Sequence, residues 1–276
     1  MERTCRITST NIAANRKYST QENYGITFCQ GSGSFSIDLF NGAFSGNVIL
    51  FTTPWQEIHF SEDATGTLKT IWFHADYYCI EHHKKEVACN GILFNNIYHP
   101  PFIFPDIAQQ NALLQIADQL AAELPHEDNY SQAVARSYLQ LMLARCTRVM
   151  VQDIPADNAV QAHHPILQFR DLLEAHFLAN RAPSFYAEQL GMTPNNFSKK
   201  VKEYFLKSPS DLIQERVILE AKKLIHLTYK SMKEIAATLH FEDEHYFSRY
   251  FKKYTGVSPS KFRETVGISI VAQISM

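Results

Sequence analysis

The sequence predicts an α+β protein with a β-rich amino-terminal domain, a helical hairpin and an all-α carboxyl-terminal domain. Short aromatic and β-branched runs separated by glycine and proline fill residues 24–73. Apolar residues recur at helical spacing from Pro105 onward, and the last hundred or so residues contain an internal repeat. A length of 276 residues, of which 45% are hydrophobic and 20% charged, is typical of two folded globular domains.

Residues 24–73 predict a small barrel or sandwich. The runs YGITFCQ, GSGSFSIDLF, NGAFSGNVILF, WQEIHF and LKTIWFHA alternate with turn residues such as Gly31, Gly46 and Gly66. Aromatic side chains in these runs could enclose a small-molecule effector, and core packing explains them equally well. The candidate effector-pocket residues are Phe28, Phe35, Phe51, Trp55, Phe60 and Trp72.

From Pro105 the pattern predicts two amphipathic helices joined near Pro125. Their apolar stripes are wider than packing within a two-helix hairpin requires, which predicts a homodimer formed through these helices. The stripe residues are Ile107, Leu114, Leu124, Val134 and Leu141.

The polar segment 152–165 contains two prolines and has no clear period, which marks a linker. Residues 165–276 hold 16 lysines and arginines against 12 aspartates and glutamates, and the preceding residues hold 10 against 16. The net charge is therefore +4 for the carboxyl-terminal part and -6 for the rest. Because nucleic acid is negatively charged, the carboxyl-terminal part is the one expected to bind it. The predicted boundaries are 1–104 for the β-rich domain, 105–151 for the hairpin, 152–165 for the linker, 166–265 for the helical domain and 266–276 for a tail.

The internal repeat carries the functional prediction. FSKKVKEYFLKSPS at 197–210 and FSRYFKKYTGVSPS at 247–260 are offset by fifty residues and share half of their positions. A duplicated helical unit explains this offset. The alternative is a chance match between helices of similar composition, and the shared Ser-Pro-Ser end in register argues against it.

Each copy follows a short helix and a tight turn, which is the helix-turn-helix arrangement. Gly191 suits the left-handed turn of the first unit, and His240 stands there in the second. The stretch KEIAATLHFEDEHYFSRYFKKYTGVSPSKFR, residues 233–263, resembles the signature of AraC/XylS family transcriptional regulators. The resemblance covers residues 170–264 and implies a seven-helix domain with two helix-turn-helix units, preceded by a cupin-like barrel for sensing and dimerisation. Leu206 departs from the pattern, because Gly256 stands at this position in the second copy.

Between the copies, Ser208, Pro209 and Asp211 have the residue types of an N-cap, a first-turn proline and an acidic third position. They predict a connecting helix that spans on the order of 27 Å, near the roughly 34 Å repeat of B-DNA. Two recognition helices are then expected to enter successive major grooves, with a footprint of roughly 20 base pairs. A plain helical bundle is the alternative.

Exposed early positions of the two recognition helices are the expected base readers. Amides pair with adenine, cations with guanine, and carboxylates accept from cytosine. The candidates are Asn195, Asn196, Ser198 and Lys199 in the first helix and Glu244, His245, Ser248 and Arg249 in the second. The expected phosphate contacts, which carry affinity without sequence preference, are Lys200, Lys202, Lys252, Lys253 and Lys261. The expected core positions are Phe197, Val201, Tyr246, Phe247, Phe251 and Tyr254.

The sequence gives little support to an enzymatic function. Cupin-like barrels of enzymes bind metal through clustered histidines, whereas His59 and His74 stand alone on predicted strands. The sequence has no P-loop, Gly-x-Ser-x-Gly motif or dinucleotide fingerprint. We therefore predict no enzyme activity, catalytic residue, metal or cofactor; the alternative is a cupin-type metal-dependent enzyme fused to a DNA-binding domain. The residues Cys79, His82, His83 and Cys89 have zinc-capable side chains, but their spacing fits no recognised finger.

The predicted protein is a cytoplasmic regulator without a membrane partner. No stretch approaches eighteen apolar residues, and five scattered cysteines suit reduced thiols. We predict sequence-specific binding to promoter DNA and an activator role. An activator acts on RNA polymerase, which is therefore a predicted partner. A small-molecule effector and a second copy of the chain are the other predicted partners.

Overall fold

The chain forms two compact bodies in a computed structural model that describes residues 5–12, 17–20, 22–37, 40–78, 92–94, 96–126, 128–153 and 165–268. Among the described residues, those up to 96 and from 100 to 153 form the amino-terminal domain, and 97–99 with 165–268 form the carboxyl-terminal domain. Across the described helices, none is long and apolar enough to cross a membrane. Cys79, His82, His83 and Cys89 lie outside the described residues.

The amino-terminal domain is built on one antiparallel sheet. The path of neighbouring strands is β1-β6-β3-β4-β7, and β5 pairs with both β2 and β3. The strands are β1 (Cys5–Asn11), β2 (Lys17–Ser19), β3 (Tyr24–Ile37), β4 (Phe40–Thr52), β5 (Glu57–Phe60), β6 (Thr65–Phe73) and β7 (Phe102–Ile103).

The sheet bends along β3. One edge of β3 pairs with β4, while the other pairs first with β6 and then with β5. Where β3 and β6 meet at Gly31 and Gly66, a Cβ on Gly31 would lie 2.0 Å from the Thr65 carbonyl oxygen. Only glycine permits this close approach.

The predicted barrel is not confirmed, because the sheet of the described residues is not closed. Within the described pairings, β1 pairs with β6 and β7 pairs with β4, so the two ends of the strand path do not meet. The spacing of apolar runs and turns predicts that strands exist. It does not determine which edges pair, and closure depends on that pairing.

Strand alternation sends neighbouring residues to opposite faces of the sheet. Ile49 and Phe51 join one apolar cluster, which includes residues of the helical hairpin, whereas Val48 and Leu50 join a second cluster. Both faces of the sheet are therefore covered.

The helical hairpin consists of α1 (Ile107–Glu123) and α2 (Asn129–Asp153). A capping box between Asp106 and Gln109 begins α1. Of the predicted dimer stripe, Leu114 and Leu124 pack against the domain core, and the exposed members are Ile107, Val134 and Leu141. Because α2 continues to Asp153, the first two residues of the predicted linker are helical, and 154–164 lie outside the described residues.

Seven helices form the described part of the carboxyl-terminal domain, as the resemblance implied. Several begin with proline, which needs no hydrogen-bond acceptor at the first helical position. The helices are α3 (Pro165–His176), α4 (Pro183–Gln189), α5 (Pro194–Phe205), α6 (Pro209–Leu227), α7 (Met232–Thr238), α8 (Glu244–Thr255) and α9 (Pro259–Val266). We call α4 with α5 the first unit and α7 with α8 the second unit.

Candidate nucleic-acid interface

Helix α5 presents a polar face above a buried apolar stripe. The Thr193 side chain accepts from the backbone N–H of Asn196 and caps the helix. Phe197 and Val201 are buried on one side, and the ring of Phe197 lies 5.1 Å from that of Phe169. The predicted base readers of this helix are exposed: Asn195, Asn196, Ser198 and Lys199.

Helix α8 repeats this arrangement in the second unit. The Asp243 carboxylate accepts from the Tyr246 N–H at 2.7 Å and so caps the helix, as expected. Phe247 and Phe251 are buried, with their ring centroids 6.0 Å apart. Of the predicted base readers, Ser248 is half-buried, and the exposed ones are Glu244, His245 and Arg249.

Two aromatic residues that we predicted to be core are exposed. Tyr246 is 48% exposed and Tyr254 37% exposed, so this prediction is wrong for both. The buried side of α8 is narrow. It is formed by Phe247 and Phe251, which are four residues apart and so lie on the same side of the helix. Tyr246 thus joins the accessible face at the start of α8, where an aromatic ring can contact bases or sugars.

The predicted phosphate-contacting lysines lie on the same helices or just after them. Lys200 is half-buried, and the exposed ones are Lys202, Lys252, Lys253 and Lys261. Lys261 Nζ lies 3.4 Å from Glu264, and Lys199 Nζ lies 3.9 Å from Glu203. Such exposed ion pairs contribute little and leave the ammonium groups available to phosphate.

The turns of the two units have the same hydrogen bonds despite different residues. Gly191 has φ 63° and His240 has φ 56°, both left-handed. The next residue donates back to the preceding helix in each case: Met192 N to the Ala187 carbonyl at 2.8 Å, and Phe241 N to the Ala236 carbonyl at 2.9 Å. These bonds satisfy carbonyls at the helix end and fix the angle to the recognition helix.

Helix α6 connects the units and is anchored at both ends. Ser208 and Asp211 form the predicted capping box at its start. Arg263 of α9 donates to the Ile225 carbonyl at 3.1 Å near its end. The helix has 19 residues and is therefore about 28 Å long, close to the length that the sequence predicts.

A buried lysine next to α6 was not foreseen. Lys207 is 4% exposed, pairs with Glu215, and donates to the Ile97 carbonyl at 3.3 Å. A buried ammonium group is tolerated only with such partners. Sequence pattern places a lysine at a helix end in solvent, and the carbonyl that holds this one is 110 residues away.

The four phenylalanines among the predicted effector-pocket residues divide between two apolar clusters of the described residues. Phe28 and Phe51 belong to the apolar cluster that includes the hairpin, whereas Phe35 and Phe60 belong to the other cluster. Trp55 and Trp72 are half-buried. Their separation follows from strand alternation, which puts the aromatic residues on both faces of the sheet.

A groove of about 520 Å³ nevertheless opens beside Phe35 and Phe60. Polar side chains, including Ser34, Asn41 and His59, complete its lining. His59 Nε2 lies 3.2 Å from Glu57. Polar groups next to aromatic rings are the lining that a small hydroxylated molecule requires.

The histidines of the metal hypothesis lie apart from any ligand cluster in the described chain. His74 follows β6 instead of lying on it, and its Nδ1 is 3.4 Å from Asp76. Among the described residues there is no group of three or more His, Cys, Asp or Glu side chains able to hold a metal ion.

Several known proteins are similar to this chain in sequence or in structure. The helix-turn-helix domain family matches residues 186–265. The arabinose operon regulatory protein of Salmonella typhimurium is 28% identical over 165 residues, which are 59% of this chain and 57% of that protein. The raffinose operon regulatory protein RafR of Pediococcus pentosaceus is 34% identical over 61 residues, 22% of each chain. The crystal structure of ToxT from Vibrio cholerae O395 is 14% identical, with a TM-score of 0.44, over 96% of this chain and 99% of that one.

The carboxyl-terminal domain is thus a double helix-turn-helix DNA-binding domain, defined by two matched units on one connecting helix. Residues 186–265, which hold the second unit and most of the first, match the helix-turn-helix domain family, and the chain is similar to the arabinose operon regulators. The match to the arabinose regulators spans a little over half of their length.

Proposed function

We propose that this protein is a sequence-specific DNA-binding transcription regulator that reads DNA through α5 and α8. The observation that carries the proposal is the repetition of one exposed polar face on two capped helices, held on a single connecting helix. Two of the relatives, the arabinose and raffinose operon proteins, are operon regulators. An isolated helical bundle has no need of two such accessible faces.

The exposed groups divide into sequence readers and positioning groups. Asn195 and Asn196 offer amides for adenine, Arg249 a forked donor for guanine, and Glu244 an acceptor for cytosine. Lys252 and the other lysines neutralise phosphates and contribute affinity to every sequence alike.

The test compares Arg249→Ala with Lys252→Ala in the full-length protein on a site obtained by in vitro selection. Loss of a base contact at Arg249 should cost about 1 to 3 kcal/mol at the selected site and relax preference at one position. Loss of a phosphate contact at Lys252 should weaken all duplexes equally and lower the salt slope by about one. Equal affinity of the wild-type protein for selected and random duplexes at all salt concentrations would refute the proposal.

We further propose that the amino-terminal domain senses a small molecule in the groove beside Phe35 and Phe60. Two relatives regulate an arabinose and a raffinose operon, so arabinose and raffinose are the first sugars to test. Serine, asparagine and histidine side chains suit sugar hydroxyls, and aromatic rings suit sugar faces. A bound sugar should raise the thermal midpoint of the wild-type protein and leave that of His59→Ala unchanged. No shift with either sugar at millimolar concentration would count against a sugar effector.

We propose that two copies of the chain dimerise through the hairpin, because three of its apolar residues are exposed: Ile107, Val134 and Leu141. Ile107 is 75% exposed, so its side chain is accessible to a second copy of the chain. Sedimentation should show a dimer at micromolar concentration that Leu141→Glu weakens. Gln132→Glu, half a helical turn away around α2 by the period of the helix, is the matched control. A wild-type monomer with and without DNA would contradict this proposal.

Activation is the proposed sense of regulation, with RNA polymerase as the partner. A reporter carrying the selected site upstream of a weak promoter should gain expression when the protein is present. Loss of expression instead would make the protein a repressor at that promoter.

A further inference from the structure

An arginine outside both helix-turn-helix units links the loop before the first unit to the turn of the second. Arg181 lies between α3 and α4, and its guanidinium group donates to the carbonyl oxygen of Leu239. The guanidinium carbon also lies 4.1 Å from the centre of the Phe241 ring, within the range of a cation–π contact. Burial lowers the pKa of Arg181, and at neutral pH the group keeps its charge.

Both acceptors of this contact support the second recognition helix. Leu239 is fully buried at the end of α7, and Phe241 is the turn residue that follows. The Phe241 ring lies 5.3 Å from that of Phe247 and 5.7 Å from that of Tyr246. A shift of Phe241 therefore moves the start of α8, where the proposed base readers lie.

A groove separates part of the α3–α4 loop from α8. It has a volume of about 570 Å³ and is lined by Arg181 and Ala179 from the loop and by Tyr246 and Arg249 from α8. At the side of this groove, the planar guanidinium group makes one hydrogen bond, to the Leu239 carbonyl, and one ring contact, with Phe241. Arginine suits this role because its fork fixes direction as well as distance.

We propose that Arg181 is a positioning residue that sets the orientation of α8 relative to α5 and thereby selects the spacing between the two DNA half-sites. This inference rests on the proposed DNA-binding function. The two recognition helices can require one spacing between half-sites only if their orientation relative to each other is fixed. One inserted base pair moves a half-site by about 3.4 Å along the duplex and rotates it by roughly 34°, a mismatch that a rigid reader cannot follow.

The experiment measures spacing preference. Full-length protein is titrated with the selected site and with versions that carry one or two base pairs inserted or deleted between the half-sites. Wild-type protein should prefer the native spacing strongly. Arg181→Met should reduce the ratio of affinities between native and one-base-pair-shifted sites about tenfold, with an unchanged salt slope. Arg170→Met is the matched control, because Arg170 is an exposed arginine paired with its neighbour Asp171.

Each other outcome has a definite meaning. A uniform loss of affinity at all spacings, or an unchanged spacing preference, overturns the positioning role while DNA binding stands. A salt slope lowered by about one would make Arg181 a phosphate contact instead. If Arg181→Met does not fold, Arg181→Lys keeps the charge and the aliphatic stem but loses the fork, and it should show the same relaxed spacing. Equal binding of wild-type protein to selected and random duplexes would instead refute the proposed function itself.

Discussion

The two helix-turn-helix units reach the same geometry with different residues at their two left-handed positions. The first unit has glycine in its turn, Gly191, and leucine after the recognition helix, Leu206 at φ 59°. The second unit has the reverse, with His240 in the turn and Gly256 at φ 78° after the helix. Glycine is therefore not required at either place, and the other residues hold the backbone there at the cost of some strain.

The caps of the units differ as well. In the second unit, Ser231 and Glu234 form a capping box at the start of α7. In the first, Ala182 precedes α4 and has no side-chain hydrogen bond to it. What both units share is a fully buried phenylalanine on the recognition helix, Phe197 or Phe247. We infer that the buried rings hold the fold of each unit, and that caps and turns adjust its stability.

The largest expected effect tests that inference directly. Phe197→Ala and Phe247→Ala should each lower the stability of the carboxyl-terminal domain by about 3 to 5 kcal/mol, because each removes a buried ring. Hydrogen exchange followed by mass spectrometry reports the loss in each unit separately. If Phe197→Ala exposes the amides of α7 and α8 as strongly as those of α4 and α5, the domain unfolds as one piece and the comparison between units breaks down.

The next effect sharpens the comparison at the left-handed positions. Leu206→Gly should stabilise α5 by about 1 kcal/mol, since it relieves strain at a residue that is 74% exposed and has little burial to lose. Gly256→Leu should destabilise α8 by about 1 to 2 kcal/mol through strain alone, because a Cβ there would meet nothing within 4 Å. Local exchange rates in α5 and α8 measure both changes. Opposite signs are the essential result, and two changes of the same sign would contradict the argument from φ.

The sequence could predict this part of the fold because its signals are local. The repeat, the cap at Asp243, and the box at Ser208 and Asp211 each lie within a few residues of the backbone that they control. Strand β1 was not predicted, because CRITSTN shows little apolar alternation and its partner β6 lies about sixty residues away. Openness of the sheet likewise depends on pairing between distant edges.

The candidate site divides in the same way. The exposure of the proposed base readers on α5 and α8 follows from the helical period, whereas that of Tyr246 depends on the width of the buried stripe. Arg181 gave no sequence signal, because its acceptor at Leu239 is 58 residues further along. Long-range contacts of single polar side chains leave no periodic trace in a sequence.

A smaller effect concerns the unequal caps. Ser231→Ala should destabilise α7 by about 1 kcal/mol, because the serine hydroxyl no longer accepts the backbone N–H of Glu234. Ala182→Ser should stabilise α4 by a similar or smaller amount if the new hydroxyl reaches the first turn. In the double variant, the amides of α4 and α7 should be protected from hydrogen exchange to a similar degree. A difference that persists would show that packing, and not capping, separates α4 from α7.

The smallest effect is a pH dependence confined to the second unit. The Ser231 backbone N–H and hydroxyl donate to the Glu234 carboxylate at 2.7 and 2.8 Å, and these bonds lower the pKa of Glu234 below its ordinary value of 4.5. A lowered pKa means that the ionised carboxylate stabilises the folded state above pH 4.5, and that this contribution is lost as pH falls through the folded pKa. Carbon-13 NMR titration of the Glu234 carboxyl should give a pKa below 4.5 that moves up toward that value in Ser231→Ala. Because Phe185 occupies the corresponding third position of α4, the first unit has no such group, and α4 should show no matching change over this pH range. A Glu234 pKa that is the same in both proteins would mean that the capping box does not hold the carboxylate in solution.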